Sequence, residues 1–137
     1  MAASMGVAIW YFSLGEPDMN QVSALVNWRA WTDAKSEKAA RVIASRLFTA
    51  LDHPVEHETF ARYDKMGGWS FTFQTRLDEA TCNDYVVVAF ALGMRVGHFW
   101  ILSGDVFHDL EGWSNAARVS GITNLQWQLI DQTPEST

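Results

Sequence analysis

Two segments of the chain alternate between apolar and polar residues with the two-residue period of a strand. They span residues 69–75 and 125–129, and each is bounded by polar or turn-forming residues. A strand with this pattern buries one face and leaves the other in water. The residues predicted to face the core are Trp69, Phe71, Phe73, Leu125, Trp127 and Leu129.

Two other segments have apolar residues at the three- to four-residue spacing of a helix. The first is Met19–Trp31, which follows Asp18 as a predicted N-cap, with Gln21 at the capping-box position. The second is Ala34–Leu51, where an apolar stripe runs along one side and most charged residues lie off it. Pro54 marks the expected end of this second helix.

Further elements are predicted from apolar runs that end in turn residues. The three valines at 86–88 favour a buried strand over a helix, and Gly93 would then begin a hairpin to the next strand. A short helix near residues 114–119 is also predicted. The additional strands are expected at residues 7–14, 55–63, 85–92 and 96–102.

This order of elements predicts an α+β fold. We expect an antiparallel meander sheet of about five to six strands, with the helices Met19–Trp31 and Ala34–Leu51 packed on one face. A length of 137 residues fits one domain. We expect residues 1–4 to be disordered or foreign to a native chain that starts at Met5, and residues 132–137 to be a loose tail.

The formal net charge is −6, and the acidic residues are concentrated in the later part of the chain. Residues 52–137 contain twelve Asp and Glu against five Lys and Arg. An acidic field favours a basic protein partner and disfavours nucleic acid and anionic membrane. The single cysteine excludes an intrachain disulfide, and neither a signal peptide nor a membrane-spanning apolar run is expected, so the predicted location is the cytoplasm.

One string resembles a catalytic motif. His53, Glu56 and His57 have the H-x-x-E-H spacing of the inverted zincins, in which two histidines on a helix hold zinc. Pro54 opposes a continuous helix at this point, so we interpret the string as a turn between a helix and a strand. We therefore expect no metal, no cofactor and no catalytic residues, although the sequence leaves enzymatic activity open.

The segment 105–113 is the predicted partner-binding surface. Three carboxylates, those of Asp105, Asp109 and Glu111, alternate with apolar residues and end at Trp113. An aromatic anchor with a charged rim is typical of a protein interface. The alternative is a short amphipathic turn that only caps the sheet.

A second candidate site lies in the apolar run that contains His98 and Trp100. These two side chains could line a pocket under the sheet, which would indicate a small-molecule-binding or small enzymatic domain. A structural subunit of an assembly is a third alternative. The sequence leaves the oligomeric state open.

The preferred function is therefore that of a small acidic protein that binds another protein. In size, charge and tryptophan content the chain is similar to bacterial immunity proteins and to phage-encoded inhibitors of host defence. This similarity is one of type, and it assigns no residues. It implies a stoichiometric inhibitor that occupies a basic surface of its partner.

Overall fold

The computed structural model describes residues 24–63, 68–77, 82–104 and 109–131. In this part of the chain there are two helices, α1 (Glu37–Leu51) and α2 (Cys82–Val96). The strands are β1 (Ala24–Thr32), β2 (Glu56–Tyr63), β3 (Gly68–Leu77), β4 (Gly97–His98), β5 (Ile101–Ser103), β6 (Glu111–Ser114), β7 (Ala116–Ala117) and β8 (Ile122–Asp131). The strand expected at residues 7–14 lies outside the described residues.

Six strands form one antiparallel sheet in the order β2-β3-β1-β8-β6-β5, and β4 pairs with β7 in a second, two-stranded sheet. The predicted α+β class, with two helices and a six-stranded antiparallel sheet, is confirmed. The connections are not those of a simple meander, because β3 lies between β1 and β2, the two strands that α1 joins. This split β-α-β order also organises ferredoxin-like domains.

The helix predicted over Met19–Trp31 is wrong where the structure describes it, because Ala24–Thr32 is the strand β1. Residues 19–23 lie outside the described part. Within β1, Ala24, Val26 and Trp28 are fully buried, whereas Asn27 is half-buried and Arg29 is exposed. The period is therefore two. The hydrogen-bonded pairing of β1 with β3 on one side and β8 on the other stabilises a strand more than the weak helical spacing of its apolar residues would stabilise a helix.

The strand predicted over residues 85–92 is also wrong, because this segment belongs to α2. Its buried residues Val86, Ala89, Leu92 and Val96 recur every three to four positions and face the core. The β-propensity of consecutive valines is a weak preference that tertiary packing overrides here. The hairpin expected at Gly93 is consequently absent, since Gly93 lies within the helix.

The other predictions are confirmed in most parts. Helix α1 lies within the predicted Ala34–Leu51, and Ser36 caps it by accepting a hydrogen bond from the backbone N–H of Ala39 (3.1 Å). Strands β2, β3 and β8 lie where they were predicted. The single strand predicted over 96–102 is wrong, because Val96 ends α2 and the rest of the run holds two separate short strands, β4 and the start of β5. The helix expected near residues 114–119 is also wrong, because β7 occupies its centre.

The core lies between the two helices and the face of the sheet that they cover. The rings of Trp28 and Phe73 are stacked with centroids 5.7 Å apart, and Phe48 of α1 meets Phe73 edge-on at 4.9 Å. Phe71 and Trp127 complete the set of large aromatic side chains that are fully buried. No helix in the described part of the chain is long and apolar enough to cross a membrane.

We expect Thr75→Val to lower the free energy of unfolding by about 1–3 kcal/mol. The indole Nε1 of Trp28 donates to the hydroxyl of Thr75 at 3.0 Å, and both side chains are buried. Valine has a similar shape but leaves this buried N–H without an acceptor. Urea denaturation measures the loss. Thr72→Val is the control on the opposite face of the same strand, and an equal loss there would contradict this explanation.

Candidate functional site on the polar face of the sheet

The face of the sheet opposite the helices presents polar side chains from adjacent strands. Because directly paired residues of antiparallel strands point to the same side, the register places them in rows. One row runs from Thr72 through Arg29 to Gln126, and the next from Gln74 through Asn27 to Gln128. We call this surface the polar face: Asn27, Arg29, Thr59, Thr72, Gln74, Glu111, Gln126 and Gln128.

Hydrogen bonds between neighbouring strands hold these side chains in place. The amide of Gln74 donates to Oδ1 of Asn27 at 2.8 Å, and the amide of Gln126 donates to Glu111 at 2.9 Å. Each of these amide groups has further donor or acceptor capacity. These side chains are therefore held in place by hydrogen bonds within the protein itself.

One end of this face forms a groove with aromatic walls. We call it the aromatic groove: Trp31, Tyr63, Trp113, Thr123 and Asn124, with Thr32, Asp33 and Lys35 beside them. It encloses about 440 Å³. Trp31 pairs with Asn124 of β8, and Trp113 pairs with Gln126 two residues further along the same strand. The two indoles therefore stand on opposite sides of β8.

Trp31 and Trp113 differ in their surroundings. The guanidinium of Arg29 lies 5.1 Å from the ring centroid of Trp31, a cation–π arrangement that supports the indole from the polar face. Trp113 is 37% exposed, which is unusual for the largest apolar side chain. The groove therefore offers one supported indole and one with much of its surface in water.

The predicted partner-binding residues are only partly brought together. Glu111 and Trp113 are two residues apart on β6, so both point to the polar face, while Asp109 is exposed just before that strand. Asp105 lies outside the described residues. Leu110 is buried between these acids and fixes the segment to the core.

Sequence reasoning missed the other wall of the groove. Trp31 is the last residue of the segment predicted as a helix, and Tyr63 is the last residue of a predicted strand, so the sequence places neither of them in a site. The signal that could have found Trp31 is the alternation of Asn27, Arg29 and Trp31 with buried residues along β1. That Trp31 stands across β8 from Trp113 depends on long-range strand pairing, which no local pattern encodes.

His98 and Trp100, the predicted pocket residues, take different positions. The indole N–H of Trp100 donates to the carbonyl oxygen of Gly93 at 3.0 Å, and its ring packs against Gly93 and Gly97. This ring also meets Trp127 edge-on at 6.4 Å. Trp100 thus fills space between α2 and the sheet, while half-buried His98 belongs to β4. A ligand site at these residues stays a prediction.

The H-x-x-E-H string does not form a two-histidine site on a helix. Helix α1 ends at Leu51, His53 follows in a bend, and His57 is in β2 with a left-handed backbone (φ 58°). The interpretation of the string as a turn is confirmed. In the described ranges no three His, Cys, Asp or Glu side chains are grouped as metal ligands would be.

Charge is balanced in the part of the chain that the structure describes. It contains nine Lys and Arg and nine Asp and Glu, so the net charge of −6 belongs to residues outside it. The described residues of 52–137 still contain seven Asp and Glu against four Lys and Arg, but the polar face carries one acid, Glu111, and one base, Arg29.

No family model matches the chain, and no curated protein or solved structure matches it either.

Proposed function

We propose that the protein binds another protein through the aromatic groove, and that it acts as a stoichiometric inhibitor of that partner. The observation that carries the proposal is the pair of indoles, Trp31 and Trp113, on either side of β8 in a face of ordered polar side chains. Tryptophan is enriched among the residues that dominate binding energy, and such residues are typically surrounded by polar groups.

The chemistry of the groove favours a basic or aromatic side chain of the partner. Trp113 presents a face that attracts a cation, and Asp33 lines the same groove, whereas the Trp31 ring already has the guanidinium of Arg29 over it. Asp109 and Glu111 lie on or beside β6, which carries Trp113, and would form its acidic rim. Lys35 also lines the groove, so the groove is not a broad acidic surface. A basic side chain would therefore be attracted only by this local arrangement of side chains.

The remaining parts of the proposal depend on the sequence. The net charge of −6 disfavours nucleic acid as the partner, and the single cysteine agrees with a cytoplasmic location. Small size, acidity and the absence of a complete catalytic motif in the sequence support an immunity-like or anti-defence role over an enzyme.

A small ligand in the same groove is the second candidate. A volume of about 440 Å³ lies in the range of pockets that hold small molecules, and three aromatic side chains line it. The two functions differ in what remains bound to the protein after purification from its source. A protein partner appears as a second chain in stoichiometric amount, and a small ligand appears as a released compound.

Capture from the native source with matched variants tests the proposal. Wild-type protein and the Met94→Ala variant should retain the same partner in a 1:1 ratio, because Met94 is exposed on α2 and away from the groove. Trp113→Ala should lose it. Equal recovery with Trp113→Ala and Met94→Ala would refute the assignment of the groove.

Kinetics with the purified partner separate the indole from the charges. Trp113→Ala should weaken binding by at least about 2 kcal/mol, roughly 30-fold in Kd, mainly through faster dissociation. Asp109→Lys should instead slow association and flatten its salt dependence, since exposed rim charges act on the encounter rate. Surface plasmon resonance at several ionic strengths measures both effects.

Trp113→Ala should also leave the fold intact. Because the indole is on the polar face and 37% exposed, its loss should lower the free energy of unfolding by about 1–3 kcal/mol while the protein still folds cooperatively. Unfolding of this variant would identify Trp113 as part of the scaffold, and the proposed interface would then be wrong.

A further inference from the structure

A second groove crosses the middle of the polar face and is separate from the aromatic groove. It lies over β2, β3, β1 and β8 and encloses about 610 Å³, a volume in the range of pockets that hold small molecules. None of the described residues lines both grooves. We call it the central groove: Asn27, Arg29, His57, Thr72, Gln126 and Gln128.

Arg29 gives the central groove its charge. Of the described residues that line the groove, it is the one arginine or lysine, and none is Asp or Glu. Two acids at the margins are engaged there. Glu56 forms an ion pair with Arg76 at 3.2 Å. Glu111 accepts a hydrogen bond from the amide of Gln126 at 2.9 Å. Throughout the described part of the chain, no carboxylate is paired with the guanidinium of Arg29, so the groove favours an anionic ligand.

The fold holds the guanidinium of Arg29 in a defined place. Strand β1 is paired on both sides, and Thr72 of β3 and Gln126 of β8 stand directly opposite Arg29. The guanidinium carbon lies 5.1 Å from the ring centroid of Trp31, so the indole supports one face of the guanidinium. The N–H donors lie in the plane of the group and not on that face. This planar fork fits the two oxygens of one carboxylate.

The neutral side chains around the guanidinium keep hydrogen-bonding capacity for a ligand. The amide of Gln74 donates to Oδ1 of Asn27, which leaves the Nδ2 donors of Asn27. The hydroxyls of Thr59 and Thr72 are bonded to each other, so one of their two protons remains for another acceptor. Among the described residues, no side chain is bonded to the amide of Gln128. Amides and hydroxyls both donate and accept, so they match a ligand that carries groups of the same kind.

We propose that the central groove binds a carboxylate that also bears hydroxyl or amide groups, and that the carboxylate lies on the guanidinium of Arg29. One carboxylate balances the charge of one guanidinium. A phosphate monoester carries a charge of about −1.5 to −2 at neutral pH. Its second charge would meet no further arginine or lysine in the described lining, and Glu56 and Glu111 stand at the margins.

Two sources of this chemistry exist, a free hydroxy acid and an acidic residue within a peptide. Both present a carboxylate beside groups that donate and accept hydrogen bonds. The inference goes beyond the proposed function, because the aromatic groove takes no part in it.

Titration of the isotope-labelled protein, followed by NMR at constant ionic strength, tests the site. The probes are gluconate, a free hydroxy acid, and N-acetylaspartate N-methylamide, an acidic residue with a peptide group on each side. At least one should give saturable shifts of the indole N–H of Trp31, which the guanidinium covers, and of the side-chain amide of Gln128. The indole N–H of Trp100 should not move, because it is bonded to the carbonyl oxygen of Gly93 and does not line the groove. The tighter probe identifies the source of the carboxylate, and inorganic phosphate should bind more weakly than that probe.

Variants at Arg29 and Arg46 separate this site from a general effect of charge. Arg29→Gln should weaken the tighter probe by at least about tenfold, because a hydrogen-bonded ion pair is lost. Arg29→Lys keeps the charge without the planar fork and should fall between this variant and the wild type. Arg46→Gln is the control and should bind as the wild type does, because it removes the same charge from an exposed arginine of α1 that has no carboxylate partner in the described ranges. The amide of Gln128 reports binding in every variant. Saturable binding of neither carboxylate, equal affinity of Arg29→Gln and Arg46→Gln, or tighter binding of phosphate would overturn the proposal.

Discussion

Phe71→Ala should lower the free energy of unfolding by about 3–5 kcal/mol, the range for a large aromatic removed from a packed core. Phe71 is 1% exposed. Its ring is in contact with three others, those of Phe48 and Phe73 at 6.1 Å and that of Phe60 at 5.4 Å. These rings come from α1, β2 and β3, so the deletion weakens the junction of three elements.

The control for this prediction is the next residue on the same strand. Thr72 points to the polar face, and Thr72→Ala should cost less than about 1 kcal/mol. Both variants are compared by urea denaturation, with one common slope of the unfolding free energy against urea concentration. A loss under ~1 kcal/mol for Phe71→Ala, with a larger loss for Thr72→Ala, would mean that β3 is inside out.

The strands that the sequence predicts correctly share one property, a polar face that stays partly in water. In β3 from Phe71 to Leu77, and in β8 from Leu125 to Leu129, the residues between the buried ones are Thr, Gln and Arg, so the period of two is visible. In β1 the pattern is obscured, because Leu25 is buried although its neighbours Ala24 and Val26 point to the opposite side. Three consecutive apolar residues hide the alternation.

The sequence predicts a strand in place of helix α2 for a related reason. Besides its buried residues it exposes Val87, Phe90 and Met94, so apolar side chains occupy nearly its whole circumference. A helix without a polar side has no helical period to detect, and only its length distinguishes it from a buried strand. The turn assigned to Gly93 reflects the same ambiguity, since this glycine serves the packing of Trp100.

The candidate site was predictable only in part. Glu111 and Trp113 were visible because an aromatic residue stood among acids in the sequence. Trp31 and Tyr63 were not, because their proximity to Trp113 comes from the order β2-β3-β1-β8-β6. The register of five strands assembles this groove, and register is set by long-range packing rather than by neighbouring residues.

Trp127→Ala should be as destabilising as Phe71→Ala, at about 3–5 kcal/mol. Trp127 is 1% exposed, and Phe90 and Trp100 pack against it at 5.8 and 6.4 Å. Its indole occupies the space above Gly112 on the neighbouring strand. A Cβ at Gly112 would lie 2.6 Å from Nε1 of this indole, so Gly112→Val should cost about 1–3 kcal/mol through overpacking.

The effects of Trp127→Ala and Gly112→Val on the free energy of unfolding should not be additive, because the indole and the valine side chain compete for the same space. With Trp127→Ala in place, the valine at position 112 no longer collides with an indole and occupies part of the cavity. The double variant should therefore be more stable than the sum of the two single losses by about 1–3 kcal/mol. A double-mutant cycle from urea denaturation measures this coupling. Additivity within about 0.5 kcal/mol would mean that Trp127 does not lie over Gly112, and that the junction between β8 and β6, on which Trp113 stands, is packed differently.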